Sequence, residues 1–447
     1  MSQPTTAPLQ SSEATVASIA HRARVASRAL AKLSLDTRNE VLLAVAKAIE
    51  DGSKRILDAN ARDCAAAEPH VVAGKMSSAM FARLRVTEHG VAQMAAQIRE
   101  VARLADPLGR RLGATELDDG LVLYRESCPL GVIGVIFESR PDVVPQLASL
   151  ALKSGNAVIM KGGSEAASTN ETLVSIWHEC LTKFPAVPLD SISLLQSRAD
   201  VMELLAQDRD VDLIIPRGSY ELVHFIMKHS RIPVLGHGEG ICHVYVDRAA
   251  DIQKAIDVTY DSKVQYPAVC NAAETLLVHE AIAPQFLPKI VAKLKQAGVE
   301  MRGDLKTRVL LPDESIVPAT EQDWATEYGD LILSIKVVAD LDEAIDHINS
   351  WGSHHTDAIV TEDPNAARRF LNEVDSAGVF QNASTRFADG YRYGFGAEVG
   401  ISTSKLHARG PMGLEGLTTY KYKLYGHGHT VAEYAKGEKK FTHRPLD

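Results

Sequence analysis

The apolar positions of this chain change rhythm along its length. Up to about residue 110 they recur every three or four places. Val41, Val45 and Ile49 follow Thr37-Arg-Asn-Glu40, which has the form of a capping box, and the run stops at Gly52. Val91, Met94, Ile98 and Val101 repeat the helical spacing ahead of Pro107. Two short runs, 111–116 and 121–125, then flank Asp119-Gly120 and predict a β-hairpin. From residue 131 short Val- and Ile-rich runs alternate with helical stretches. Runs at 131–137, 156–161, 191–195, 211–215 and 232–235 predict five strands, with helices at 143–152, 165–182, 199–206 and 219–229 between them. Strands so apolar are covered on both faces, which describes an α/β fold with a doubly wound parallel sheet. A second α/β half begins near residue 241. It carries a helix at 251–260, a strand through Leu276, Leu277 and Val278, a helix at 282–297, a strand at 331–338, a helix at 341–349, and strands at 357–361 and 378–382. Residues 418–425 alternate with period two and predict a strand far from either core. With the early hairpin it fits an arm exchanged in a homo-oligomer.

Length and composition narrow the class. At 447 residues the chain exceeds one ordinary core and suggests two or three domains, behind a disordered stretch at 1–12. With 45% hydrophobic and 23% charged residues and a net charge of -9, it reads as a soluble globular protein with no electrostatic case for nucleic acid. The five cysteines (64, 128, 180, 242 and 270) are odd in number, widely spaced and without C-x-x-C. That argues against a disulfide framework or structural zinc and for a reducing compartment. No apolar run approaches the roughly 18 residues that span a bilayer, and the first residues lack the form of a secretory leader. A cytoplasmic protein with neither membrane nor nucleic-acid partners is expected.

The candidate chemistry lies at the strand ends, where parallel sheets bind ligands. Met160-Lys-Gly-Gly-Ser-Glu165 and Pro216-Arg-Gly-Ser219 both put positive charge and free N–H groups where a strand becomes a helix. Ordinary glycine turns account for one such loop; two in one sheet favour a phosphate-bearing cofactor. The G-x-G-x-x-G fingerprint is absent, and Gly236-His-Gly-Glu-Gly240 has the wrong spacing for it. Cys270 stands in a polar loop beyond Pro267 and just before an apolar strand, where a scaffold presents a nucleophile. The bland alternative is a small buried hydrophobe. His347, His354 and His355 lack ligand spacing, so no metal site is expected. Cys242 and His243, adjacent in a strand, point to opposite faces and make no thiol–base pair.

These features, with Pro129-Leu-Gly-Val-Ile-Gly-Val-Ile-Phe-Glu-Ser-Arg-Pro141, the 261–275 loop and the stretch 338–359, resemble the aldehyde dehydrogenase superfamily from about residue 14 to 435. More closely, they resemble its branch that reduces an acyl phosphate. The last stretch carries Trp351 where that branch has His or Tyr. The resemblance implies an aldehyde-dehydrogenase-like fold. Its NADP-binding domain would span 13–110 and 131–240, its catalytic domain 241–405, and its oligomerisation hairpin and arm 111–130 and 416–435. It implies reduction of L-glutamyl 5-phosphate to L-glutamate 5-semialdehyde and phosphate by NADPH, through a Cys270 thioester, in proline biosynthesis. The implied partners are a second copy of the chain and a glutamate 5-kinase that channels the substrate.

Residue by residue, Cys270 matches the nucleophile and Lys161 the Lys that contacts the adenosine ribose. Ser164 stands where NAD-using relatives carry a ribose-binding Glu, and losing that charge favours NADP(H). Gly218 and Ser219 match the Gly-Ser that opens the pyrophosphate-facing helix, and Glu327 matches the Glu that holds the nicotinamide ribose. Two departures follow. The Glu-Ser-Arg-Pro141 stretch is one residue shorter than the superfamily's oxyanion stretch, which leaves Ser139, Arg140 and Asn271 as oxyanion or substrate-phosphate candidates. Arg140 could equally be a structural ion pair. The superfamily's general-base Glu is not reproduced at 236–240, which suits a thioester attacked by phosphate rather than water. A hydrolytic aldehyde dehydrogenase and a nucleotide-binding protein without turnover are the alternatives. A free thiol titrates near about 8.5, so the site is expected to lower that value, with Lys263 the nearest cation in sequence.

Overall fold

The computed structural model describes residues 15–446 except positions 237, 313, 314, 397 and 407, so the stretch 1–12 lies outside the described residues. The chain forms two compact units. The first takes in the described residues up to Pro216, Ile226–Val234 and the chain from Thr418; the second is Arg217–Phe225 and Leu235–Leu417.

In the first unit the predicted hairpin is present as β1 (Arg111–Asp118) and β2 (Leu121–Pro129), turning at Asp119-Gly120. Next along the chain are β3 (Val132–Phe137), β4 (Ala157–Lys161), β5 (Ile192–Leu194) and β6 (Leu213–Arg217), which form a sheet of order β5-β4-β3-β6. β3 and β4 are buried along their whole length, as their Val and Ile content requires, and β3, β4 and β5 pair in parallel. The fifth expected strand, 232–235, is a single bridge between Ile214 and Val234. Pro233 has no N–H to extend a ladder and only accepts, at 2.9 Å, from the Ile214 N–H. The expected capping box at Thr37 is also not the cap. The helix Leu35–Asp51 opens at Ser34, whose Oγ accepts from the Thr37 N–H at 3.1 Å.

Among the described residues the main sheet of the second unit has seven strands. They are β7 (Cys242–Val246), β8 (Ala273–His279), β9 (Glu300–Gly303), β10 (Val317–Pro318), β11 (Ile332–Val338), β12 (Thr356–Val360) and β13 (Gly378–Gln381), in the order β10-β9-β11-β8-β7-β12-β13. Every pair in this sheet is parallel. β8 lies inside the sheet with all seven residues buried, and Leu276, Val278, Ile290, Leu294, Leu333 and Ile335 share its core. The short β9 and β10 carry too little periodic signal to predict. The helix expected at 251–260 runs on to Val264, so the loop before Cys270 is shorter than expected. β14 (Gly400–Ser402) and β15 (Gly410–Met412) make a separate ribbon.

β16 (Thr418–Tyr425) is the predicted late strand, and it returns to the first unit to pair antiparallel with β2 over its whole length. A C-terminal strand, β17 (Arg444–Leu446), was not foreseen; it adds to β1, giving the order β16-β2-β1-β17. Among the described residues no helix is long and apolar enough to cross a membrane.

Candidate active site

The Cys270 loop joins the end of the Ile252–Val264 helix to the start of β8, and it is held from several sides. Asn271 is buried and its Nδ2 donates to the Ala388 carbonyl at 2.8 Å. Cys242, on β7, directs its thiol to the Cys270 carbonyl at 3.3 Å. Gly240 packs backbone against backbone: a Cβ there would stand 2.0 Å from the Cys270 carbonyl oxygen and 2.5 Å from its Cα. Only glycine tolerates that approach. The Gly240 backbone also acts on the Glu327 carboxyl, drawing its pKa down against the effect of burial. Glu327 is followed by Tyr328, whose hydroxyl bonds Asp323 Oδ1 at 2.8 Å and Ser334 Oγ at 2.7 Å, with Arg302 on Asp323 at 2.6 Å.

The charge around the thiol is the reverse of the expected one. Cys270 is half-buried, and burial together with the carboxylates of Glu327 and Glu398 pushes its thiol up to about 12; the Arg217 guanidinium offsets part of this. Lys263 does not help. Its Nζ is fully buried on Glu274 Oε2 at 2.6 Å, and burial pushes the lysine down and the glutamate up to about 7. Glu327 and Glu398 are themselves raised by burial.

In the first unit, Lys161 ends β4 with its ammonium turned onto the Gly162 carbonyl. Gly162 is closely packed, since a Cβ there would meet Asn170 Nδ2 at 2.3 Å and the Phe137 ring at 3.0 Å. Ser164 is exposed at the start of a short 3-10 turn. The acid one place on, Glu165, is taken by Ser139, whose N–H and Oγ donate to Oε1 at 2.8 and 2.6 Å. Ser139 is buried with φ +36 and is thereby committed to Glu165. Arg140 makes an exposed pair with Asp142 at 2.7 Å, the structural role left open by the sequence. Gly162, Ser164, Asn170, Leu195 and Gln196 line one small cavity, and Asn170 Oδ1 is buried there without a partner. A close-packed glycine turn, an ammonium and an orphaned acceptor fit a ribose-phosphate group.

Sequence reasoning missed Arg198, exposed on the loop after β5, whose charge acts on Lys161. Asp200 holds that loop by accepting from the Ser197 N–H at 2.9 Å and its Oγ at 2.6 Å. Gly218 and Ser219 precede the helix Tyr220–His229 in the second unit, with Ser219 Oγ accepting from the Leu222 N–H at 3.4 Å.

His243, His347, His354 and His355 all make contacts within the protein. His347 is buried against His243, Trp324 and Trp351, and burial pushes it down to about 3. His354 Nδ1 lies 2.6 Å from the Asp375 carbonyl, and His355 Nδ1 lies 2.9 Å from Thr356 Oγ1. His243 pairs with Asp357 at 2.9 Å while the Cys242 thiol faces the other way. Among the described residues no group of three or more His, Cys, Asp or Glu could hold a metal ion.

Comparison with known proteins places this geometry. The model of the aldehyde dehydrogenase family matches residues 3–309. A gamma-glutamyl phosphate reductase from Synechococcus sp. is 57% identical over 423 residues, 94% of this chain and 92% of the relative. One from Cyanothece sp. is 56% identical over 96% of this chain and 97% of the relative. Among solved structures, the gamma-glutamyl phosphate reductase of Thermotoga maritima superposes with a TM-score of 0.90 at 41% identity, covering 93% of this chain and 99% of that one.

Proposed function

The chain belongs to the aldehyde dehydrogenase family, in its gamma-glutamyl phosphate reductase branch, and on that premise we propose that Cys270 takes the acyl group of L-glutamyl 5-phosphate as a thioester that NADPH reduces to L-glutamate 5-semialdehyde. The observation that carries this reading is the clamp on Cys270: Gly240 against its backbone, Cys242 on its carbonyl, and Asn271 anchored to Ala388. A loop so held presents one thiol in one place, as covalent catalysis requires.

The chain's own chemistry then follows. With its pKa near 12 the thiol is neutral at neutral pH, so attack needs a proton acceptor. Glu327 and Glu398 flank it, and both carboxyls are held above the usual range by burial, which makes them better bases than free carboxylates. Sγ bonds to the carbonyl carbon, the carbon–oxygen bond to phosphate breaks, and the thiol proton passes to one of these acids. NADPH, when bound, supplies the hydride that turns the acyl group into the aldehyde.

In the first unit Lys161 and the 162–164 turn would hold the adenosine end of the cofactor. Glu165 is turned to Ser139 and Glu171 lines the same cavity as Ser164, so the case for a 2′-phosphate there rests on the positive charge of Lys161 and Arg198. In the second unit Gly218, Ser219 and Glu327 are the cofactor-binding candidates. Ser139, committed to Glu165, is the weakest of the oxyanion candidates, and Asn271 Nδ2 is likewise spent on Ala388. The Cys270 N–H is left as the donor that the loop itself offers. A cytoplasmic homo-oligomer completes the reading. β16 is an edge strand with Tyr420, Tyr422 and Leu424 exposed, which suits pairing with a second copy.

The test runs the reaction backwards. Glutamate 5-semialdehyde with NADP+ should give NADPH only when phosphate is present, and Cys270→Ser should lose that turnover. Turnover sustained by water alone would assign the hydrolytic reaction instead.

A further inference from the structure

One cation beside the nucleophile has no ion-pair partner among the described residues. Arg386 lies on the 3-10 turn Thr385–Phe387 and is only 7% exposed. Its Nε donates to a neutral acceptor, Gln265 Oε1, at 3.0 Å. Among the described residues neither Nη has a hydrogen-bond acceptor and no carboxylate forms an ion pair with it, while Asp261 and Asp389 act on its charge from further away. The Arg386 carbonyl meanwhile accepts from Arg392 Nη1 at 2.7 Å, and Arg392 is itself paired with Asp389 at 3.7 Å. Burial and Arg392 both press the Arg386 pKa down, yet a guanidinium stays charged in proteins. A charge held largely out of water with no paired carboxylate is unfavourable. Such a cost is offset where a ligand supplies the missing partner.

The turn is fastened to the Cys270 loop. Ser262, near the end of the helix that leads to the loop, bonds Ser384 Oγ at 3.1 Å and accepts from the Thr385 N–H at 3.2 Å. Asn271 reaches Ala388 at 2.8 Å, two residues beyond Arg386. Arg386 lies within electrostatic reach of Cys270, Asp261 and Asp389, and Asp261 is exposed with no side-chain partner among the described residues.

We propose that Arg386 receives the α-carboxylate of the substrate, fixing its amino-acid end while the C5 carbonyl meets Cys270. Two parallel Nη donors match the two oxygens of a carboxylate, and Gln265 holds the guanidinium by its remaining edge. Asp261 stands as the complementary acid for the α-ammonium. The inference rests on the acyl-phosphate reading above. The substrate's other anion, the phosphoryl group, is separable from the carboxylate because in the reverse direction the two arrive on different molecules.

The experiment compares glutamate 5-semialdehyde with 4-aminobutanal, which has the same chain and amine but no carboxylate, in wild type, Arg386→Gln and Arg386→Lys, with NADP+ and phosphate. Wild type should prefer the acid-bearing aldehyde strongly in kcat/KM. Arg386→Gln should reduce that preference by about 10- to 100-fold, with Arg386→Lys between the two and the KM for phosphate unchanged. The preference is a ratio, so it does not depend on how much of a variant folds. An unaltered preference, or a rise in the phosphate KM in place of the aldehyde KM, overturns the assignment. Absence of phosphate-dependent turnover in wild type would instead sink the acyl-phosphate reading itself.

Discussion

The loop after β4 and the loop before β8 are built in opposite ways. After β4, the groups that would meet an anion are consecutive: the Lys161 ammonium, the Gly162–Gly163 backbone and the exposed Ser164. Before β8, Cys270 is a lone residue whose surroundings come from 217, 240, 327 and 398, places far apart in the chain. The two also differ in sign. The first loop joins a lysine to the charge of Arg198, whereas the thiol faces two carboxylates that hold its proton on. The difference teaches that a binding turn can be assembled locally from backbone and one cation. A nucleophile needs a position and a field that only tertiary packing supplies.

The sharpest way to break this comparison is at Gly240. Gly240→Ala puts a methyl group 2.0 Å from the Cys270 carbonyl oxygen, so the loop must move. A displacement of order 1 Å is enough to lose about 10²-fold in kcat. We expect at least that loss with the circular dichroism spectrum retained; near-normal turnover would show that the clamp does not position the thiol.

The local loop should respond to purely local changes. Lys161→Met should raise the KM for NADPH by about 10- to 100-fold, the worth of one charge-assisted hydrogen bond. Ser164→Glu should weaken NADPH more than NADH, because only the former carries the 2′-phosphate. Equal loss for both cofactors would place the 2′-phosphate elsewhere.

A smaller effect is expected at Glu398. The carboxylate raises the thiol pKa, so Glu398→Gln should lower it, and the pH profile of Cys270 alkylation by iodoacetamide should move to lower pH. An unmoved profile would mean that burial alone governs the thiol.

The smallest effect lies away from both loops. His347 is held down to about 3, whereas an unfolded histidine titrates near about 6.5. Below about 6.5 the unfolded chain takes up a proton that the folded one refuses. This contribution to stability is therefore full above that pH and falls away towards pH 3 by about 1.4 kcal/mol per unit at most. Thermal melts between pH 7 and 5 should be flatter in His347→Leu than in wild type.

The same contrast explains what was legible in the sequence. The sheets were readable because β3, β4 and β8 are apolar on both faces, and the hairpin because Asp119-Gly120 is a turn signal. The misses have local causes. Pro233 broke the fifth strand; Ser34 rather than Thr37 capped its helix; β9 and β10 are too short to show a period. Lys161 and Ser164 were legible as candidates because their neighbours in sequence are their neighbours in space. Arg386, Glu398, Arg198 and Gly240 were not, since nothing adjacent to them in sequence says what they face. The expected cation at Lys263 failed for the same reason: Glu274, eleven residues on, had already claimed it.

The central claim is that the glutamyl group passes through Cys270. Glutamate 5-semialdehyde and NADP+ without phosphate should produce one burst of NADPH and leave the acyl group on the enzyme. Mass spectrometry of the acid-quenched, proteolysed protein should then find a glutamyl adduct on the peptide carrying Cys270, removed by added phosphate and absent in Cys270→Ala. An adduct on Cys242 or another residue, or a full burst in Cys270→Ala, would contradict the account.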